Sequence, residues 1–210
     1  MESKIRFRIA KPADAKQIAN VQFSVRDKHP LGIFSRMDRC FLTQYYKIIL
    51  NDPYEVVICA ENSNKEIVGF NSATLDAAHQ MKTLRKHIIS LGFAAIPSII
   101  KSPTLFKELI KRFNSTSEKS NEKFVYAEGP RGEYWAWKPN APNSLGAIDL
   151  SLKSNQLMAV LGVTHIYIEV DIDNKNVLAY HKAMKAEVEQ IITLPDGRKR
   201  ALLKKPVKLK

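Results

Sequence analysis

The stretch that decides the fold covers residues 161–186 and reads LGVTHIYIEVDIDNKNVLAYHKAMKA. Apolar residues dominate positions 165–170, which predicts a buried strand. A turn then leads into a helix predicted over 174–185, and Asn is a good residue for capping a helix start. Gly162 follows a predicted helix over 145–161 as its terminating glycine. A strand between two helices is typical of a sheet covered by helices.

Upstream of this stretch, the pattern of apolar residues predicts a strand, two helices and a hairpin. The strand alternates apolar and polar residues, the first helix opens near a proline, and Asn-Asp-Pro ends the second. The hairpin has a turn rich in Asn and Ser between its two strands. These elements are expected at 5–9, from residue 12, at 37–50 and at 55–76.

Residues 77–122 interrupt this pattern with an insert that is predicted to be mainly helical. Pro97 and Pro103 are expected to divide it into pieces, and apolar residues recur along one face over 105–113. That face must bury against the body or against a second subunit, so a homodimer is left open. After the insert we expect strands at 124–127 and 134–137, and a C-terminal hairpin of strands 188–194 and 200–205.

Together the elements predict one α+β domain over residues 1–210, with a single mixed, largely antiparallel sheet flanked by helices and a basic helical insert at about 77–122. The net charge of +12 comes from two segments. Residues 79–123 carry 9 basic and 3 acidic side chains, and residues 196–210 carry 7 basic and 1 acidic. Such segments are either solvated faces or surfaces that attract polyanions, and no binding-module pattern singles out nucleic acid.

Several classes of protein are excluded because their motifs are absent. The chain has no GxGxxG, GxxxxGK[ST], GxSxG or HExxH pattern, and its five histidines do not fall at metal-ligand spacing, so no metal is expected. No apolar run is long enough to predict a transmembrane segment. The N-terminus does not resemble a secretory signal, and Cys40 and Cys59 lie far apart. We therefore expect a cytoplasmic protein with two reduced, buried thiols.

Over residues 161–186 the chain resembles the GNAT superfamily of N-acetyltransferases. The second half of these proteins commonly has a helix ending in Leu-Gly, a strand ending in Val, then Asn, and a helix with an aromatic pair. The order of elements extends the resemblance to about 1–76 and 124–205. The chain is also loosely similar to members associated with bacterial surface-polysaccharide synthesis, for which the acceptor would be an amino sugar.

The resemblance implies a site for acetyl-CoA between two parallel strands that splay apart, 133–138 and 165–170. The pantetheine arm would lie beside Trp135 and Trp137, and its amides would bond to Asn174, unless that residue is only a helix cap. The pyrophosphate would lie at the start of the following helix, where backbone N–H groups are exposed. The residues there are Ser144, Leu145, Gly146 and Ala147, of which only the last fits the family's Arg/Gln-x-x-Gly-x-Gly/Ala signature.

The resemblance also implies three catalytic candidates. His181 stands at the position of the Tyr that commonly protonates the leaving thiolate in the family, and Tyr180 precedes it. Glu133 is the candidate base for the attacking ammonium, on the strand face that alternation assigns to Trp135 and Trp137. Two of these candidates have a plainer alternative: His181 as a core or surface histidine and Glu133 as a solvated carboxylate. The two tryptophans are likewise either core residues or part of the site.

The predicted function is transfer of an acetyl group from acetyl-CoA to a primary amine, with an amino sugar as the acceptor by analogy. Attack would occur directly in a ternary complex, with backbone N–H groups near 135–137 stabilising the oxyanion. The expected partners are a coenzyme A thioester and an amine acceptor. Two alternatives are a GNAT-like binding or regulatory module without catalysis and a basic nucleic-acid-binding accessory protein.

Overall fold

The computed structural model describes residues 5–28, 32–115, 127–141, 143, 145–194 and 197–209. In this part of the chain seven strands form one sheet, with the bounds β1 Arg6–Ile9, β2 Glu55–Glu61, β3 Ile67–Thr74, β4 Arg131–Trp137, β5 His165–Asp171, β6 Glu187–Thr193 and β7 Lys199–Pro206. Their order across the sheet is β1-β2-β3-β4-β5-β7-β6. Only β4 and β5 are parallel neighbours, so the predicted mixed, largely antiparallel sheet is confirmed.

The described residues also form eight α-helices, which cover the sheet from both sides. They are α1 Ala15–Ser24, α2 Ile33–Arg36, α3 Arg39–Ile49, α4 Ala77–Lys86, α5 Ile88–Lys101, α6 Thr104–Ser115, α7 Gly146–Val160 and α8 Lys175–Ala183. One face of the sheet packs against α1 and α3, and α5 packs on the outside of α3. The opposite face packs against α7 and α8.

The larger core lies between α1, α3 and the strands β2 to β4. The rings of Tyr46 and Phe70 are fully buried and meet edge to face, with centroids 5.4 Å apart. The Tyr46 hydroxyl donates to Gln22 Oε1 at 2.6 Å, so this buried phenol is paired. Burial of each ring contributes about 1.5–3 kcal/mol, which fastens the helices to the N-terminal half of the sheet.

From Ala77 to Ser115 the insert is mainly helical, as predicted, but Pro97 does not divide it. Residues 116–122 of the predicted insert lie outside the described part of the chain. Helix α5 continues through this proline. A proline inside a helix removes one N–H bond and its ring crowds the preceding turn, and the packing of Leu91 and Ala95 against the core offsets this cost. Leu105 of α6 is buried as well. Phe106 and Ile110 are exposed, so the predicted apolar face of α6 is buried only in part.

Two further expectations differ from the structure. β4 begins at Arg131; of the strand predicted at 124–127, the first three residues lie outside the described part of the chain and Ala127 is not in a strand. Cys59 is buried, which raises the pKa of its thiol to about 11, but Cys40 is exposed on α3. The expectation of two buried thiols is therefore wrong for Cys40, which falls on the outer side of an amphipathic helix.

The contact between β3 and β4 depends on a residue without a side chain. Gly69 lies opposite Trp137, and a Cβ at Gly69 would overlap the Trp137 indole. The other end of the same ring rests on Gly146, where an added Cβ would lie only 2.6 Å from Trp137 Cη2. The ring is thus held between two glycines and cannot move away from either.

We predict that Gly69→Ala lowers the free energy of unfolding by about 1–3 kcal/mol, because the enclosed Trp137 ring has no space into which it can shift. The matched control is Gly92→Ala in α5, where nothing lies within 4 Å of the added Cβ. That change should raise stability by about 0.5–1 kcal/mol through helix propensity. Urea unfolding of both variants measures the difference, and equal effects would contradict this account of Gly69.

Candidate active site

The strands β4 and β5 are neighbours only at one end. Their register has a single pair, Arg131 with Tyr167, and the Tyr167 N–H donates to the Pro130 carbonyl at 2.9 Å. Beyond this point β4 continues along β3, while β5 continues along β7. From Glu133 to Trp137, the edge of β4 that faces β5 therefore has no partner strand among the described residues. Such an opening can accept an extended polar molecule in the manner of an added strand.

A β-bulge at Glu133 shapes this opening. Gly132 lies opposite Ala73 and Tyr134 opposite Ser72, which leaves Glu133 as the extra residue. Arg131 Nε donates to Glu133 Oε1 at 2.7 Å, so the carboxylate lies with Arg131 on the face covered by α1 and α3. The expected common face of Glu133 and the two tryptophans is therefore wrong, because the bulge breaks the alternation of side chains.

Arg131 is the centre of a buried polar network. Its guanidinium also donates to Gln80 Oε1 at 2.9 Å, and Gln80 Nε2 donates to Glu55 Oε2 at 3.1 Å. Burial alone would lower the pKa of Arg131, but the nearby carboxylates of Glu133 and Glu169 more than offset this and raise it. The guanidinium thus stays charged and holds the Glu133 carboxylate in place.

Glu55 is the unusual carboxyl of this network. Burial, followed by the negative charge of Glu133, raises the pKa of Glu55 to about 8. Its Oε1 is buried and accepts no hydrogen bond. At neutral pH the Glu55 side chain therefore keeps its proton.

The two tryptophans of β4 contact the start of α7 on the opposite face. Trp135 Nε1 donates to the Ala147 carbonyl at 3.0 Å, and the Trp137 ring packs on Gly146. The Gly146 N–H donates to the Asn143 carbonyl at 2.9 Å and so is already paired. Of the other residues expected to hold a pyrophosphate, Leu145 is exposed and Ser144 lies outside the described residues.

Helix α8 brings the remaining predicted residues to the same place. Asn174 Oδ1 caps the helix by accepting from the Val177 N–H at 3.4 Å. The Tyr180 ring lies 5.0 Å and the His181 ring 6.4 Å from Trp135, centroid to centroid. Trp135 therefore bridges α7 and α8. Tyr180 and His181 lie next to β4, one of the two strands between which acetyl-CoA was expected to bind.

Three buried polar atoms in this region have no hydrogen-bond partner among the described residues. They are Trp137 Nε1, the Tyr180 hydroxyl, which has Ser151 nearby but outside hydrogen-bonding geometry, and His181 Nδ1. Each unpaired buried polar group costs about 1–3 kcal/mol. Two of the atoms belong to the adjacent residues Tyr180 and His181, whose rings pack beside Trp135. The third belongs to Trp137, two residues beyond Trp135 on β4. The cluster is suited to a ligand that offers both hydrogen-bond donors and acceptors.

The protonation states of Tyr180 and His181 differ in a way that bears on their roles. Burial, with a smaller effect from the positive charge of Lys205, lowers the pKa of His181 to about 3. Burial also raises the pKa of the Tyr180 phenol. At pH 7 the imidazole is therefore neutral and the phenol carries a proton, so the imidazolium acid expected at His181 is disfavoured by its surroundings.

No family model matches the chain, and no curated protein does. Solved structures do match along nearly the whole chain. An N-acetyltransferase from Staphylococcus aureus Mu50 is 16% identical, with 95% of this chain and 99% of that one covered and a TM-score of 0.61. A GNAT-family acetyltransferase from Bacillus cereus ATCC 10987 is 11% identical, with coverage of 98% and 99% and a TM-score of 0.57. The chain has the GNAT fold. A third match is Arabidopsis thaliana NAA60 in complex with acetyl-CoA, which is 14% identical, with coverage of 97% and 99% and a TM-score of 0.56.

The residues that surround Glu133 were not found from the sequence. In this example of the GNAT fold, Gln80 of the insert contacts Arg131, and Glu55 of β2 contacts Gln80 in turn. The only local feature of the sequence that indicated this polar network was the spacing of a basic and an acidic residue at i and i+2, namely Arg131 and Glu133. Among the described residues no three His, Cys, Asp or Glu side chains are placed to hold a metal ion.

We predict that Glu55 lowers the free energy of unfolding by up to about 1.4 kcal/mol per pH unit as pH rises from about 5 to 8. The net fall is expected above about pH 6.5, because below it the lowered pKa of His181 contributes a slope of opposite sign. The carboxyl ionises near 4.5 in the unfolded chain but only near 8 in the folded one, so the folded state binds more protons in this window. Glu55→Gln should flatten the slope, whereas Glu66→Gln in an exposed turn should leave it unchanged. Urea unfolding at several pH values measures the slopes, and an unchanged slope in Glu55→Gln would refute the assignment.

Proposed function

We propose that the protein transfers an acetyl group from acetyl-CoA to a primary amine. The observation that carries this proposal is the opening between β4 and β5, where the free edge of β4 lies beside three unpaired buried polar atoms. The GNAT fold supports it, since the structures of that fold described above are acetyltransferases and one of them holds acetyl-CoA.

The residues at the opening fit the pantetheine part of acetyl-CoA. Its amides alternate donor and acceptor groups, as the free edge of β4 does, and Trp137 Nε1 and the Tyr180 hydroxyl offer further hydrogen bonds. Asn174 uses Oδ1 to cap α8, which leaves its Nδ2 to donate to a ligand carbonyl. The pyrophosphate would lie near residues 143–147, where Leu145 and Ala147 offer backbone N–H groups but the N–H of Gly146 is already paired.

The chemistry assigned to these residues is direct attack of the amine on the thioester. Glu133, held by Arg131, takes a proton from the ammonium, and the amine nitrogen then bonds to the carbonyl carbon. Backbone N–H groups of 135–137 stabilise the negative charge on the carbonyl oxygen. The carbon–sulfur bond breaks as Tyr180, which is protonated at neutral pH, gives its proton to the departing thiolate. The nitrogen then releases its extra proton to the Tyr180 phenolate through water, which leaves a neutral amide and restores the phenol. His181 takes a positioning role beside Tyr180, since its neutral ring is a weak acid.

The acceptor is proposed to approach Glu133 from the side of the insert. Helix α4 of the insert supplies Gln80 to Arg131, so part of the insert already borders the base. An amino sugar is the proposed acceptor, by analogy with proteins of similar organisation. A homodimer and a cytoplasmic location are further proposals that accompany this function.

The second candidate is a GNAT-like binding module without catalysis. The observation that favours it is the start of α7, where Asn143 accepts from the Gly146 N–H and the Trp137 ring fills the space beside Gly146. Both contacts use positions that the family leaves for phosphate. The two candidates differ in whether acetyl-CoA binds and turns over.

We predict that acetyl-CoA at about 100 times its Kd raises apparent stability by about 2.7 kcal/mol. Trp137→Phe should weaken acetyl-CoA binding by about fivefold, because it removes an unpaired buried N–H that the ligand would satisfy. Trp135→Phe is the matched control: it should leave affinity nearly unchanged, since that N–H already donates to Ala147. Calorimetry measures both affinities. Absence of any signal at millimolar acetyl-CoA would reject the enzyme proposal in favour of another function for the fold.

We predict that Tyr180→Phe lowers kcat by about 10²–10⁴ with little change in acetyl-CoA affinity, as expected when a positioned general acid is lost. His181→Phe should retain kcat within a few fold. Thiol release measures turnover, with the amine chosen from a panel of amino sugars and other primary amines. A large loss of kcat in His181→Phe with none in Tyr180→Phe would return the acid role to the histidine.

A further inference from the structure

Helix α5 exposes a continuous apolar surface that the proposed acetyl transfer does not use. Its inner side, with Leu91, Ala95 and Ile99, packs toward the core. At 100° per residue, the exposed residues on the other side fall within an arc of about 140°. We call this surface the outer face of α5; it consists of Ile88, Ile89, Gly92, Phe93, Ile96 and Ile100.

The exposure of this face is large for a water-soluble surface. Ile89 is 73% exposed, Phe93 71% and Ile100 75%. No charged residue occurs between Ile88 and Ile100. Contiguous exposed apolar surface of this kind marks a site of interaction with a protein or a membrane, whereas single exposed apolar residues are ordinary.

Basic side chains lie next to both ends of the outer face. Arg85 and Lys86 are exposed at the end of α4, directly before α5. Lys101 is exposed at the other end, where its Nζ donates to Asp38 Oδ2 at 2.6 Å, so the excess positive charge lies mainly at the α4 end. Glu108 is the one acidic residue among residues 77–110, and both its carboxylate oxygens accept from Arg36, at 2.7 and 2.8 Å. The surroundings of the apolar face are therefore positively charged.

We propose that the outer face of α5 binds to the surface of an anionic lipid bilayer, with the helix axis in the plane of the membrane. Apolar side chains on one side and Lys or Arg at the border are the features of interfacial helices. Helix α5 has 14 residues and a length of about 21 Å, which is short of the hydrocarbon thickness. None of the helices within the described residues meets the length and hydropathy needed for a membrane span. The inference is independent of acetyl transfer.

The charges favour a lipid surface over a second copy of the chain. A symmetric contact through the outer face would place the same basic groups, Arg85, Lys86 and Lys101, at the border of both copies, where like charges oppose association. A bilayer containing acidic lipids instead complements them, and each Lys or Arg near such a surface adds to the affinity.

The first test is sedimentation of the protein with vesicles of phosphatidylcholine and phosphatidylserine. Phe93→Ser combined with Ile100→Ser should lower the bound fraction, with a partition coefficient reduced about tenfold or more. The matched control is Val160→Ser combined with Leu209→Ser, which removes exposed apolar side chains from other elements and should leave partitioning unchanged. Thermal melting confirms that both variants are folded.

The second test addresses charge. Arg85→Glu combined with Lys86→Glu should abolish the preference for vesicles that contain phosphatidylserine over vesicles of phosphatidylcholine alone, and added salt should have the same effect on the unmodified protein. Lys16→Glu combined with Lys65→Glu, at exposed positions elsewhere, is the control. These charge variants should leave acetyl-CoA affinity unchanged, so failure of this inference is distinguishable from failure of the proposed enzyme.

Three results would overturn the proposal. The first is absence of vesicle binding by the unmodified protein. The second is equal binding by the Phe93/Ile100 variant and its control. The third is a change in oligomeric state on replacing Phe93 and Ile100, measured by analytical ultracentrifugation without lipid, which would identify the outer face of α5 as a contact between copies of the chain.

Discussion

The arrangement of this molecule depends on one buried cation. Arg131 stands at the only register pair that joins β4 to β5, and its guanidinium binds Glu133 on the bulge and Gln80 in the insert. A buried charge without partners would cost several kcal/mol, so these hydrogen bonds are a condition of the fold. They fix three features at one point. These are the place where the two halves of the sheet meet, the face to which the bulge turns the Glu133 carboxylate, and the position of α4. The opening begins immediately beyond this point.

The bulge gives the two faces of the opening different chemistry. On the face of α1 and α3, the carboxylate of Glu133 is kept beside a guanidinium. On the face of α7 and α8, Tyr180 and His181 lie among tryptophans, and burial keeps both rings neutral. The group proposed to accept a proton and the groups proposed to donate or position one thus lie on different faces, the first paired with a guanidinium and the others uncharged.

Local pattern was sufficient for much of the fold. The strand, cap and helix over 161–186 follow from periodicity and from Asn174, and the structure confirms each because these features depend on residues a few positions apart. The bulge at Glu133 could not be predicted, because Ser72 on another strand sets the register by accepting from the Tyr134 N–H at 3.1 Å and donating to its carbonyl at 3.2 Å.

The same limit applies to the site. That Tyr180 and His181 approach Trp135 could be expected from the order of elements and the resemblance, but the protonation state of His181 depends on how completely α7, α8 and β7 enclose it. Burial of the His181 side chain by three elements arises only when the core is assembled, so it cannot be read from the local sequence. For this reason the sequence indicated the region of the proposed acid, whereas the choice between two adjacent residues depends on burial, which disfavours an imidazolium at His181.

Helix α4 connects the site with the proposed membrane surface. Its inner side carries Gln80, which is buried against Arg131, and its last turn carries Arg85 and Lys86, which lead directly into α5. A ten-residue helix is about 15 Å long and stiff, so any restraint on α5 reaches Gln80 through a rigid element. Because Gln80 and Glu133 bind the same guanidinium, the position of the insert and the position of the candidate base are parts of one hydrogen-bonded unit.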